Sequence, residues 1–182
     1  MWGTDNTLEV QPAGLEDVDE IQTLIALSTR ELSRGYYSDR QIEAAIACIF
    51  GVDTTLIADR TYFVAETEGI LHGCGGWSKR RTLFGGDQYA TRDSVFSDPA
   101  VDAAKIRAFF VHPRSARRGI GRLLLARCEA EAKAAGYKST ELMSTLPGLS
   151  FYSSCGYLPN KPTLFTVEGV EIEFVPMWKL LP

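Results

Sequence analysis

No stretch of this sequence approaches the roughly 20 consecutive apolar residues that a membrane helix needs. Met1 to Val10 lacks the basic start and apolar run of a secretion signal, so a cytoplasmic protein with no membrane partner is expected. Histidine is scarce: His72 and His112 are the only 2 in the chain. The 4 cysteines, Cys48, Cys74, Cys128 and Cys155, contain no CxxC pair. Zinc-type ligand spacing is therefore missing, no metal is expected, and the thiols read as reduced structural residues. Positive charge is also short, with 19 Lys and Arg against 23 Asp and Glu and a formal net charge of -4. That balance argues against a general nucleic-acid binder. Low-complexity segments and internal repeats are absent. With 45% hydrophobic and 23% charged residues, residues 1–182 are expected to fold as one domain with a core that needs neither metal nor disulfide.

What the chain does have is a local concentration of arginine and glycine. The run Val111-His112-Pro113-Arg114-Ser115-Ala116-Arg117-Arg118-Gly119-Ile120-Gly121-Arg122 lies between an apolar stretch, Ile106 to Val111, that reads as a strand, and Leu123 to Ala135, which reads as a helix. In such a turn backbone N–H groups converge, the first helical amides lack internal acceptors, and the helix dipole adds partial positive charge. An anion is expected there. Gly119 and Gly121 let the main chain approach a bulky diphosphate, while Arg114, Arg117, Arg118 and Arg122 supply fixed charge around it. Two phosphate readings fail on residue type. A triphosphate loop wants Lys and then Ser or Thr after its glycine, but Arg122 and Leu123 follow Gly121, and a dinucleotide turn wants a small residue where Leu124 stands.

The rest of the chain supplies the frame. Leu8 to Val10 reads as a short strand and Leu15 to Leu32 as a helix. Ser38 and Gln41 form a capping box ahead of Ile42, Ala45, Ile46 and Ile49, and Gly51 ends that helix. Thr61–Thr67 with Ile70–Ser78, and Thr163–Val167 with Val170–Trp178, read as hairpins around Glu68-Gly69 and Glu168-Gly169. Gly136 closes the helix of the arginine run, and Lys138 to Ser144 is a strand expected to lie parallel to the one before that helix. Gly73, Gly75 and Gly76 thin their strand and fit a close approach or a bulge. Lys79 to Ala104 has no clear period and reads as an excursion, either a solvated loop or a cover for a site.

The arginine–glycine run resembles the acyl-coenzyme A segment of the GNAT superfamily, the general-control-type N-acetyltransferases. The family pattern is Gln or Arg, two residues, Gly, one residue, then Gly or Ala. Gly119 and Gly121 match it, while Ala116 stands at the leading Gln or Arg place. The strand ending in Val111-x-Pro113 and the downstream Phe151-Tyr152-x-x-x-Gly156-Tyr157, similar to the family's Phe-Tyr-x-x-x-Gly-Phe, extend the resemblance over about residues 60 to 180.

The resemblance implies an α/β fold (α+β): a mixed, mostly antiparallel sheet of six or seven strands flanked by helices, with a parallel pair splayed at the cofactor site. It implies acetyl-coenzyme A as cosubstrate, its pantetheine arm along Ala108, Phe109, Phe110 and Val111, and its diphosphate against Arg114, Arg117, Arg118, Gly119, Ile120, Gly121 and Arg122. A primary amine of a small molecule or peptide would attack the thioester directly in a ternary complex, with one N–H near Phe110 meeting the oxyanion. Tyr152 stands at the place of the family's general acid; a phenol of pKa about 10 stays protonated at neutral pH and can meet the thiolate as it appears. By itself, a tyrosine beside Phe151 would be a core or rim residue. Tyr157 takes the family's packing role.

The general base has no motif behind it: Glu31, His72 and Glu141 are on offer, and His72 also reads as a packed residue of its strand. Arg34, Tyr36 and Tyr37 lie where the family walls its acceptor site, and surface placement explains them equally well. Val170 to Leu181 fits either a strand that pairs two copies in a homodimer or a strand of the core. The alternative reading of the whole is a sensor or regulatory module that binds acyl-coenzyme A and transfers nothing. A kinase-like enzyme lacks the residues that handle triphosphate and magnesium.

Overall fold

The computed structural model describes residues 7–89 and 93–182. The chain runs β1 (Glu9–Pro12), α1 (Val18–Leu32), α2 (Asp39–Cys48), α3 (Thr54–Ala58), β2 (Tyr62–Thr67), β3 (Ile70–Ser78), β4 (Ala104–Val111), α4 (Ile120–Ala134), β5 (Ser139–Thr145), α5 (Leu149–Ser154), β6 (Leu158–Pro159), β7 (Thr163–Val167) and β8 (Val170–Leu180). One sheet of eight strands carries the order β1-β2-β3-β4-β5-β8-β6, with β7 also on β8. Every pairing is antiparallel except β4 with β5. This is the mixed α/β fold expected, with more strands than the expected six or seven. The two-residue β6 is the one strand without a counterpart in the sequence reading, since two residues carry no readable period.

Local chemistry sets the hairpins and helix ends. Glu68 and Gly69 both have positive φ, 51° and 75°, and Glu168 and Gly169 repeat this at 49° and 71°. That conformation matches the twist of antiparallel strands joined by two residues. Ser38 accepts from the Gln41 amide, and the Gln41 side chain accepts from the Ser38 amide, so both halves of the capping box are closed. The helix α3 has no counterpart in the sequence reading. It is five residues long, and its signal is Asp53, whose carboxylate caps the Thr55 amide.

Strand alternation feeds two faces. Phe63 and Ala65 of β2 pack in one cluster with Leu124, Leu125 and Cys128 of α4, while Tyr62 and Val64 pack in another with Ile21, Leu24 and Ile25 of α1. A third cluster joins Ala44 and Ala45 of α2 to Ile172 and Phe174 of β8. In β8, Phe174 to Leu180 pair with β5, Met177 and Trp178 also pair with β6, and Val170 to Phe174 pair with β7, so the strand is built into the sheet. All four cysteines are unpaired, and burial pushes the Cys74 thiol up to about 12. No helix among the described residues is long and apolar enough to cross a membrane.

Candidate active site

Two irregularities in neighbouring strands open the site. The parallel ladder between β4 and β5 consists of Ala104 with Thr140 and Lys105 with Glu141; beyond it, β5 continues its pairing with β8 as far as Thr145 and Phe174. The strands therefore part after Lys105, and Ile106 to Val111 on one side face Leu142, Met143 and Thr145 on the other across a cavity of about 810 Å³. The second irregularity is a bulge in β4. Cys74 pairs with Phe110 and Gly76 with Arg107, so Gly75 alone stands opposite Ala108 and Phe109.

Ala108 takes φ 54°, a left-handed value that an alanine adopts only under constraint. The constraint is visible beneath it: the buried Tyr62 hydroxyl lies 3.2 Å from the Ala108 carbonyl oxygen and 3.3 Å from the Cys74 sulfur. Glycine opposite the bulge lets the Phe109 ring lie over the strand, since a Cβ on Gly75 would stand 2.7 Å from that ring in its present place.

The arginine–glycine run folds as a turn held from below. Pro113–Ser115 form a 3-10 turn whose preceding residue, His112, accepts from the Arg114 amide through Nδ1 at 3.1 Å. His72 Nδ1 lies 2.9 Å from the buried Ser115 hydroxyl, and the His112 amide donates to the His72 carbonyl at 2.8 Å. His72 thus pins the turn to β3, which is the packed role open to it in the sequence. Arg117 and Gly119 carry positive φ, 64° and 88°, and turn the chain into α4. The first intrahelical bond of α4 runs from the Leu123 amide to the Gly119 carbonyl, so the amides from Gly119 to Arg122 have no acceptor within the helix. Neither a side-chain cap nor an acidic residue in the first turn offsets their partial positive charge.

Most of the residues singled out in the sequence meet at this cavity. Ala108, Phe109, Phe110, Val111, Arg117, Gly119, Ile120, Gly121, Arg122 and Tyr152 line it; Arg114 and Arg118 are exposed and do not. Tyr152 sits on α5, with its ring against Phe151, Phe109 and Tyr157 at centroid distances of 4.9, 6.5 and 5.7 Å. Burial, with lesser contributions from Cys128 and Cys155, drives its phenol well above the ordinary tyrosine value. Phe151 closes over the start of α4, where a Cβ on Gly121 would come within 3.2 Å of its ring, and Arg122 donates to the Ser154 hydroxyl at 3.0 Å. Tyr157 is a packing residue with a buried hydroxyl between Thr140 at 2.8 Å and Glu129 at 3.0 Å.

None of the three candidate bases reaches the cavity. Glu31 pairs with Arg34 on the surface at 3.0 Å, Glu141 pairs with Lys105, and His72 is committed to Ser115. Tyr36 lines the cavity, whereas Tyr37 braces it from behind: its hydroxyl donates to the Glu173 carbonyl at 2.6 Å and accepts from the Leu146 amide at 2.9 Å. Burial pushes the Tyr37 phenol up to about 12 despite the Leu146 N–H, so this tie holds at any ordinary pH.

The excursion between β3 and β4 is a built wall in its described part. Arg81 and Thr82 pair through backbone bonds with Val95 and Asp93. Arg80 grips Asp59 with two bonds of 2.7 and 2.8 Å, which holds that carboxyl below its usual range. Gly86 donates to the Ile49 carbonyl and Gln88 to the Phe50 carbonyl, which brings Leu83, Phe84 and Gly85 into the cavity wall. Arg107, buried at the floor, pairs with the buried Asp53 at 2.6 Å and donates to the Gly85 carbonyl. Neither Arg107 nor the wall residues stand out in the sequence. The only signal is Gly85-Gly86 after Phe84, which permits the close approach to Gly51.

Residues 58–159 match the acetyltransferase (GNAT) domain family, and since this is more than half of the chain, the protein belongs to that family, the acetyl-coenzyme A dependent N-acetyltransferases. No curated protein matches its sequence. In structure it is similar to a GCN5-related N-acetyltransferase from Rhodopseudomonas palustris, with TM-score 0.71 and 21% identity over 96% of each chain. It is also similar to the PaiA N-acetyltransferase of Thermoplasma acidophilum, solved with coenzyme A, with TM-score 0.64 and 17% identity over 96% of this chain and 99% of that one. A GNAT family acetyltransferase of Brucella melitensis, solved with acetyl-coenzyme A, gives TM-score 0.55 and 17% identity over 84% of each. At such identities the likeness establishes the fold.

Proposed function

We propose that residues 1–182 act as one catalytic domain that moves the acetyl group of acetyl-coenzyme A to a primary amine of a small molecule or peptide, by direct attack in a ternary complex. The observation that carries this reading is the parting of β4 from β5 directly beside the uncapped start of α4, so that one cavity joins a slot for an extended arm to a cluster of open amides. The diphosphate would rest on the amides from Arg117 to Arg122 with Arg117 and Arg122 beside it. The pantetheine arm would follow Ala108 to Val111, and one main-chain N–H of the bulge near Phe110 would meet the oxyanion. Arg114 and Arg118, outside the cavity, would contribute only long-range attraction.

Tyr152 is the proposed acid. Its raised pKa keeps the phenol protonated throughout the working range. The amine nitrogen forms the new C–N bond as the C–S bond breaks; sulfur takes a proton from the phenol, and the proton lost by nitrogen restores the phenol, directly or through water. No carboxylate or histidine is among the described residues that line the cavity, so the amine must arrive neutral. In consequence kcat/KM is expected to rise with pH up to the amine's own pKa, about 10 for an alkylamine. No fall from Tyr152 ionisation should follow up to that pH, because its raised pKa places that limb higher still. A plateau already reached near pH 7 would point to a protein base.

The direct test is release of coenzyme A thiol from acetyl-coenzyme A in the presence of amines, alongside calorimetric binding of the cofactor. Arg122→Glu should weaken acetyl-coenzyme A binding by about 10-fold or more, since it sets a carboxylate against the diphosphate. Unchanged affinity would remove the cradle assignment. Cofactor binding without turnover of any amine would favour the sensor.

A further inference from the structure

The cavity has more wall than a coenzyme needs, and the chemistry of that wall is one-sided. Besides the strands and the arginine–glycine turn, it is built by the end of α1, residues 49–51 and residues 83–86, which contribute Leu32, Phe50, Leu83 and Phe84, with Met143 across the gap. Phe50 and Phe84 belong to a chain of aromatic contacts. Phe110, beside the bulge, packs edge-on against Phe50 at 5.6 Å, Phe50 against Phe174 at 5.9 Å, and Phe84 against Phe165 at 4.7 Å. The polar groups here are the hydroxyls of Ser28, Thr29, Ser33 and Tyr36, and the Thr29 hydroxyl already donates to the Ile25 carbonyl.

Charge is as lopsided as polarity. Among the described residues the cavity is lined by three arginines, Arg107, Arg117 and Arg122, and by no aspartate, glutamate or lysine. Asp53 lies behind Arg107 and is fully buried in its pair, so it compensates that guanidinium and does not line the cavity. With the diphosphate balancing Arg117 and Arg122, a second ammonium on an acceptor would meet a largely apolar wall that offers it no carboxylate, and burying a charge in that way is costly.

Resting on the acetyl-transfer reading above, we infer that the acceptor is a primary monoamine carried on an uncharged aliphatic or aromatic body, and that amines bearing a second cation are rejected. The apolar body lies against Phe50, Phe84 and Leu32 and gains from leaving water, while the single nitrogen reaches the thioester beside the bulge. Selection against the dication comes from the missing carboxylate and the apolar wall, not from size.

A matched pair of acceptors isolates that term: pentylamine and 1,5-diaminopentane differ only in a terminal ammonium. With the full-length protein and saturating acetyl-coenzyme A, kcat/KM for pentylamine is expected to exceed that for the diamine by about 10-fold or more. Leu32 is 38% exposed at the last turn of α1, so Leu32→Glu should fold normally and place a carboxylate on the wall. It should raise the ratio of diamine to monoamine kcat/KM by about 2- to 5-fold, the size of a partly exposed ion pair. Equal or better use of the diamine by the natural chain overturns the inference, as does a ratio that Leu32→Glu leaves unmoved. If acetyl-coenzyme A binds but neither amine is acetylated, the acceptor class is wrong while the cofactor site stands. If acetyl-coenzyme A does not bind at all, the acetyl-transfer reading itself has failed.

Discussion

Tyr152→Phe is expected to lower kcat by about 100-fold, the lower end of what a positioned proton donor contributes, while acetyl-coenzyme A affinity changes little. The asymmetry follows from where the hydroxyl sits. Phenylalanine keeps the ring contacts with Phe109, Phe151 and Tyr157 that shape this side of the cavity, so packing survives. What is lost is the proton donor for the leaving sulfur, an interaction needed only as the C–S bond breaks, and such a loss appears in kcat rather than in ground-state binding. Steady-state kinetics with a saturating amine, paired with calorimetric binding of acetyl-coenzyme A, separate the two quantities. Full turnover by the variant would remove Tyr152 from the acid role, and a parallel loss of affinity would recast it as a packing residue of the cofactor slot.

Asp53→Ala should destabilise the fold by about 3–5 kcal/mol, the usual cost of stranding one member of a buried pair. For a chain of this size that corresponds to a melting temperature lower by roughly 10 °C. Side-chain exposure is 2% for Arg107 and 0% for Asp53, so water cannot replace the lost carboxylate. The same carboxylate caps α3 through the Thr55 amide, and Arg107 ties the floor of the cavity to Gly85. Loosening both should raise the acceptor KM as well as lower stability. Thermal unfolding within 2 °C of the natural chain would show that Arg107 finds equivalent support elsewhere.

The parts of this molecule readable in the sequence are those whose causes are local. The bounds of β3 were legible because Glu68-Gly69 turns the chain before it and alternation runs through it, and α2 because its capping box and apolar spacing agree. The cradle was legible for the same reason: its strand, turn and helix start are consecutive, and a positive-φ glycine at 119 is a local requirement. Counting arginines in that turn could not show which of them face inward, since Arg114 and Arg118 differ from Arg117 and Arg122 only in the direction the turn gives them.

Long-range assembly was hidden. The wall opposite the cradle draws on α1, on residues 49–51 and on residues 83–86, held together by bonds such as Gly86 to Ile49 that no periodicity announces. Phe50, Phe84, Phe165 and Phe174 come from four separate segments, and only the fold makes them neighbours. The bulge at Ala108 was hinted at by Gly75 on the partner strand, but its strained residue is an alanine, which carries no signal of a positive φ.

The central claim is that open amides at the start of α4 take the diphosphate of acetyl-coenzyme A while its arm runs between β4 and β5. A crystal structure of the protein grown with saturating acetyl-coenzyme A tests it in one measurement. The diphosphate should lie within hydrogen-bond distance of the backbone from Arg117 to Arg122, with the thioester beside the Ala108 bulge. A cofactor seated elsewhere, or a cavity left empty at saturation, would contradict the account.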